Sequence, residues 1–109
     1  MAQFDVHRNL GPLRDAIPFV VVVQSSQFDG YRRRVVVPLV RSKVVPPGAT
    51  ALRTRINPAF RVKNVDVVLH PLDMVSAALE RLGPKVGSLA DHGQAITDAL
   101  DELLTRSWG

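Results

Sequence analysis

The chain contains no cysteine, and that absence excludes both a disulfide framework and a thiolate metal site. Aromatic residues are scarce, with one Trp, one Tyr and four Phe. A surface that binds single strands by stacking needs several exposed rings, and some of these few belong in a core. Long apolar runs are missing too. The longest, Ile17 to Val23, is interrupted by Pro18 and is far too short to span a bilayer. The opening residues, MAQFDVHR, lack the charged-then-apolar pattern of a signal peptide. A soluble cytoplasmic protein with no membrane partner is the expectation.

Motifs for cofactor chemistry are also lacking. His7, His70 and His92 are scattered, without the spacing of metal ligands. Gly83-Pro84-Lys85 has neither the glycine spacing nor the Lys-Ser/Thr ending of a phosphate loop. Ser25-Ser26 has no glycines around it to form a nucleophile elbow, and reads as a pair of turn hydroxyls. No metal, cofactor or catalytic residue is expected.

Acidic residues are rare in one half only. Residues 1–63 carry eleven Lys or Arg and three acids, whereas residues 64–109 carry three and seven. The two parts are therefore net +8 and −4 within an overall +4. Such a split serves an anionic partner or lets one half complement the other.

What is present fits one domain over residues 1–109, 46% hydrophobic and large enough for a core. Gln3 to His7 alternates as a strand. Phe19 to Gln24 is a β-branched run suited to a strand covered on both faces. Arg32 to Leu39 is another, with Pro38 marking its end or an edge. Asp29-Gly30 between these runs predicts a hairpin. Leu52 to Ile56 and Phe60 to Val62 flank Asn57-Pro58-Ala59. A loop there sets Arg55 opposite Arg61 and Arg53 opposite Lys63, gathering four cations on one face. Val65 to His70 is a further strand.

Leu72 to Gly83 suits either a helix, through Ala77, Ala78, Leu79 and Glu80, or a short strand. Ile96, Ala99, Leu100, Leu103 and Leu104 form the stripe of an amphipathic helix within residues 90–109. Ser88 and Asp91 are its N-cap candidates. The predicted architecture is mostly β, a small antiparallel barrel with a C-terminal helix.

The basic residues define a candidate anion or nucleic-acid face: Arg32, Arg33, Arg34, Arg53, Arg55, Arg61 and Lys63. RNA cleavage without metal needs a cation and a proton-transfer group near the phosphate, and one of these arginines beside Asp29 is such a pairing. A charge run is more often a solvated face, which ranks catalysis below binding.

Taken in order, a set of residues resembles the CcdB family. It comprises Gln3-Phe4 with Val6, Gln24-Ser25, Arg33-Arg34 with Val36 and Pro38-Leu39, then Asp73-Met74, Gly83, Val86, Leu89, Ile96, Ala99 and Trp108-Gly109. The resemblance spans nearly the whole chain. It implies an SH3-like barrel shared with MazF-like ribonuclease toxins, a homodimer, and the toxin role in a type II toxin–antitoxin pair of the plasmid-maintenance kind. Members bind the A subunit of DNA gyrase and trap its cleaved complex with DNA. A CcdA-like antitoxin neutralises them, and operator DNA is reached only through the toxin–antitoxin complex.

By the same resemblance, the gyrase-binding residues are Trp108, Gly109, Phe28, Asp101 and Leu104. The sequence departs from the family at these places. Position 27 of the loop pair is Gln, and the final isoleucine is missing. Aligned without a gap from Ile96, the family's tryptophan falls on Thr105, so Trp108 matches only across three inserted residues. Three residues turn a helix by roughly 300° and advance it by roughly 4.5 Å. The alternatives implied by the fold are a MazF-like, metal-independent endoribonuclease and a relative that binds antitoxin but poisons nothing.

Overall fold

The computed structural model describes residues 1–45 and 55–106. Strand β1 spans Asp5–Asn9, β2 Phe19–Val22, β3 Arg33–Arg41, β4 Ala59–Val62, β5 Val65–Leu69, β6 Val75–Ala78 and β7 Leu82–Ser88. Helix α1 spans Gly93–Asp101. The strands form an antiparallel sheet in the order β4-β5-β3-β2-β1-β7, with β6 also paired to β3. The architecture is the mostly β, curled half-barrel with a C-terminal helix that the sequence predicts.

Two apolar layers explain the β-branched runs. Phe19 and Val21 point into the main core with Val6, Val37, Leu39, Val67, Leu69, Leu89, Ile96 and Ala99. Val20 and Val22 point the other way, into a smaller cluster with Val36 that Ala77 and Leu82 help to cover. All four residues of β2 are buried, so the strand carries no polar alternation. Ile96 is fully buried and pins α1 to the sheet, a contact contributing about 1.5–3 kcal/mol.

Pro38 lies inside β3 rather than at its end or on an edge. Residues 33–36 pair with β6 and residues 39–41 pair with β5. Pro38 falls in the gap between these two neighbours, where its missing N–H interrupts no ladder. Its carbonyl accepts the His70 amide at 3.0 Å.

Other expectations are corrected or resolved. Among the described residues, Ala59 to Val62 does not pair with the segment before Asn57. Instead, β4 pairs with β5, setting Phe60 opposite Val67 and Arg61 opposite Asp66. The two-residue turn is Lys63-Asn64, both at positive φ (51° and 64°), as a primed hairpin turn requires. Residues 55 and 56 are helical, and the rest of the expected strand from Leu52 lies outside the described residues.

For Leu72 to Gly83, the open choice between helix and strand falls to strand. The segment contains β6, a 3₁₀ turn at Leu79–Arg81 and the start of β7. Pairing with the free flank of β3 and covering Val36 outweigh the helix propensity of two alanines. At the C-terminus the α-helix ends at Asp101, and Glu102–Arg106 form a wider π turn. Neither Ser88 nor Asp91 caps α1. Ser88 Oγ accepts the Ala90 amide at 3.1 Å, before the 3₁₀ turn that leads into the helix.

Candidate functional site

The connection between β2 and β3 is built around one buried arginine. Arg34 follows the period of β3 onto the same face as Val36 and is only 1% exposed. Its Nη2 donates to the carbonyls of Gln24 (3.0 Å) and Ser25 (3.1 Å). Its Nη1 meets Asp29 Oδ1 at 2.5 Å. Gln24 completes the lock: its Oε1 accepts both the Val35 amide (2.9 Å) and Arg34 Nε (3.3 Å). The guanidinium fork thus satisfies the backbone of a loop that has no ladder of its own.

Asp29 sits between two cations. Its other oxygen accepts the N-terminal ammonium at 3.2 Å. Desolvation pushes its carboxyl up, but the hydrogen bonds from the ammonium and from Arg34 outweigh it. The net pKa lies below the ordinary aspartate value. Asp29 is therefore a carboxylate engaged on both sides.

The braced loop presents two rings. Phe28 and Tyr31 are 39% and 64% exposed, and their centroids lie 5.9 Å apart. Beside them, Arg33 donates from Nε to Ser76 Oγ (2.8 Å) and from Nη2 to the Ser76 carbonyl (2.6 Å). Gln24, Phe28, Tyr31, Arg32, Arg33 and Ser76 line an open cleft of about 440 Å³. Tyr31, Gln24 and Ser76 were not among the sequence-derived site residues. The signal for Tyr31 was its position directly before three arginines, and Ser76 had none, because β6 was ambiguous.

The basic residues do not form one face. Arg32, Arg33 and Arg34 stand at the start of β3, where the neighbour is β6. Arg55 pairs with Glu102 at the end of α1, at 3.2 Å. Arg61 lies on β4, 3.9 Å from Asp66, and Lys63 is in the turn beyond it. Arg53 lies outside the described residues. The opposition of Arg55 to Arg61 depended on a hairpin that the described residues do not form, and that of Arg53 to Lys63 lies outside them.

Of the remaining sequence-derived residues, Asp101 closes α1 and its carbonyl accepts the Thr105 hydroxyl at 2.9 Å. Leu104 is 66% exposed. Trp108 and Gly109 lie outside the described residues. No group of three or more His, Cys, Asp or Glu among the described residues is placed to hold a metal ion. No helix among them is long and apolar enough to cross a membrane.

The curled sheet and its helix place the chain in a class of small toxin folds. An endoribonuclease from Mycobacterial species, solved in complex with its cognate antitoxin, superimposes with a TM-score of 0.72. The identity is 16%, over 100% of this chain and 99% of that one. The Mycobacterium tuberculosis toxin MazF-mt6 gives 0.71 at 15% identity, over 95% and 99%. Identities this low speak for the fold alone. No curated protein matches the sequence. The family model described as CcdB protein matches residues 3–106. The chain belongs to the CcdB family, and membership makes it a toxin of the toxin–antitoxin kind.

Proposed function

We propose that this protein is the toxin of a two-component module and acts by binding the A subunit of DNA gyrase, trapping the cleaved gyrase–DNA complex. It works as a homodimer, without bond chemistry of its own. A CcdA-like antitoxin neutralises it, and together they occupy their operator. The observation that carries this reading is the loop locked by Arg34. Phe28 lies where the family's resemblance puts an apolar gyrase contact, and it is held outward on a loop with little freedom left to lose. A preorganised exposed ring is the kind of group that supplies binding energy on a partner surface. Trp108 and Gly109 are the second anchor, with Asp101 and the exposed Leu104 on the approach to them.

The test is a cleavage assay with purified gyrase and supercoiled plasmid. Wild-type protein is expected to accumulate linear DNA. Trp108→Ala and Phe28→Ala each remove an anchor worth about 2 kcal/mol or more, about thirtyfold in affinity. Both variants should fold and dimerise yet lose cleavage and growth inhibition. Full activity in both would sink the assignment.

The second reading is a metal-independent endoribonuclease. It is favoured by the cleft where Arg32 and Arg33 stand beside Ser76, and by the endoribonucleases that share the fold. It ranks second because Asp29, the acid nearest these arginines in sequence, is engaged by Arg34 and the N-terminal ammonium. Incubating the pure protein with RNA and chelator separates the readings. Only the ribonuclease yields fragments.

A further inference from the structure

The β4–β5 hairpin and the turn after β3 bring a second group of cations together, away from the aromatic loop. Arg41, Lys43, Asn64 and Asp66 line one groove, and Arg61, Asp66 and His92 line another. Ser42 and Asp66 belong to both, so the two grooves form one continuous surface. Lys63, beside Asn64 at the hairpin tip, adds a fourth full charge.

Among the described residues, little offsets these charges. Asp66 is the single carboxylate lining either groove, and its pairing with Arg61 is loose at 3.9 Å between two exposed side chains. Arg41 is fixed through Nε to the Asp15 carbonyl (2.7 Å), which leaves its terminal nitrogens without an acceptor among the described residues. Three acids of the C-terminal half are engaged elsewhere. Glu102 meets Arg55, Asp73 meets His70, and Asp98 accepts from Gln94. The positive excess of the first half of the sequence therefore survives at this end of the sheet.

We propose that this surface binds the phosphate backbone of duplex nucleic acid. Four cations gathered around one carboxylate suit a regular array of phosphates. Single strands are a poorer fit, because they need exposed rings to stack on. The one ring here, Phe60, is half-buried against the core and faces His92 at 5.2 Å. The toxin would then add its own salt-sensitive share to operator binding, where the family's resemblance assigns that contact to the antitoxin complex. The proposal is independent of gyrase binding, since none of these residues belongs to that site.

The experiment uses the purified protein and a fluorescein-labelled, mixed-sequence DNA duplex, read by anisotropy over a series of salt concentrations. A single-stranded RNA of equal length is the second arm. Wild-type protein is expected to bind the duplex more tightly than the RNA, with an affinity that falls log-linearly with salt. Lys43→Gln combined with Lys63→Gln removes two phosphate partners. It should weaken binding on the order of tenfold or more at 0.1 M salt and flatten the log–log slope by about 2. Asp66→Asn should tighten it. Unfolding midpoints check that these exposed substitutions leave the fold intact. No duplex binding by the wild type, tighter binding to RNA, or an unchanged slope in the double variant overturns the proposal.

Discussion

A guanidinium taken out of water is stable only where its donors find acceptors. Arg34 finds them in two loop carbonyls, an amide oxygen and a carboxylate. Arg34→Met keeps the apolar stem but strands the Gln24 carbonyl and leaves the Ser25 carbonyl with the Phe28 amide alone. The expected cost is about 2–4 kcal/mol, seen as a lower urea midpoint. Gyrase binding should weaken as well, because Phe28 would lose its fixed presentation. Asp29 gives this network a pH dependence. Its folded pKa is depressed, so its contribution is present above the ordinary value of 3.8 and is lost as pH falls through the lower folded value. Wild type should exceed Asp29→Asn in stability at neutral pH, and the gap should close with acid. A gap independent of pH would contradict the assignment. Only part of this could be read from the sequence. Three consecutive arginines look like a solvated charge run, yet strand alternation alone sends Arg33 and Arg34 to opposite faces, one to Ser76 and one inward.

At the scale of elements, what could be read follows from how strongly each segment constrains itself. Strands β2, β3 and β5 are β-branched runs and lie close to where the sequence puts them. The β4–β5 turn was hidden because Lys63-Asn64 lacks the glycine of a strong hairpin signal, while Asn57-Pro58 looks like a turn. Residues 72–83 carry local helix propensity, which yields to a partner strand that the sequence cannot display. The junction into α1 has its own requirement. A Cβ on Gly93 would lie 2.6 Å from Phe4 Cε2, and that ring packs on the core from a residue held at φ 69°. Gly93→Ala should therefore cost about 1–2 kcal/mol despite alanine's better helix propensity, because the ring must give way. The same change in a Phe4→Ala background should cost little. A thermal-melting double-mutant cycle measures the coupling.

At the scale of the molecule, the two proposed surfaces are separated by the sheet that carries them. The Arg34 loop lies where β3 meets β6, and the cationic grooves lie where β3 passes to β5 and the hairpin beyond it. Pro38 stands between the two stretches. The sequence led to this architecture through the family's ordered residues rather than through any one motif. The helix shows where that reading stopped. Its stripe fixed Ile96 and Ala99 correctly, but periodicity alone did not reveal the change of winding at Glu102.

The pairing of β1 with β7, Asp5 opposite Ser88, has a consequence during synthesis. The first strand to leave the ribosome meets one of its two neighbours early, in β2, and waits for the other until residue 88 has been made. Helix α1, which covers the main core, comes later still. A chain cut short before that point lacks Leu89, Ile96 and Ala99, which complete the core around Val6, Val21 and Val37. The main core can close only once α1 has been made.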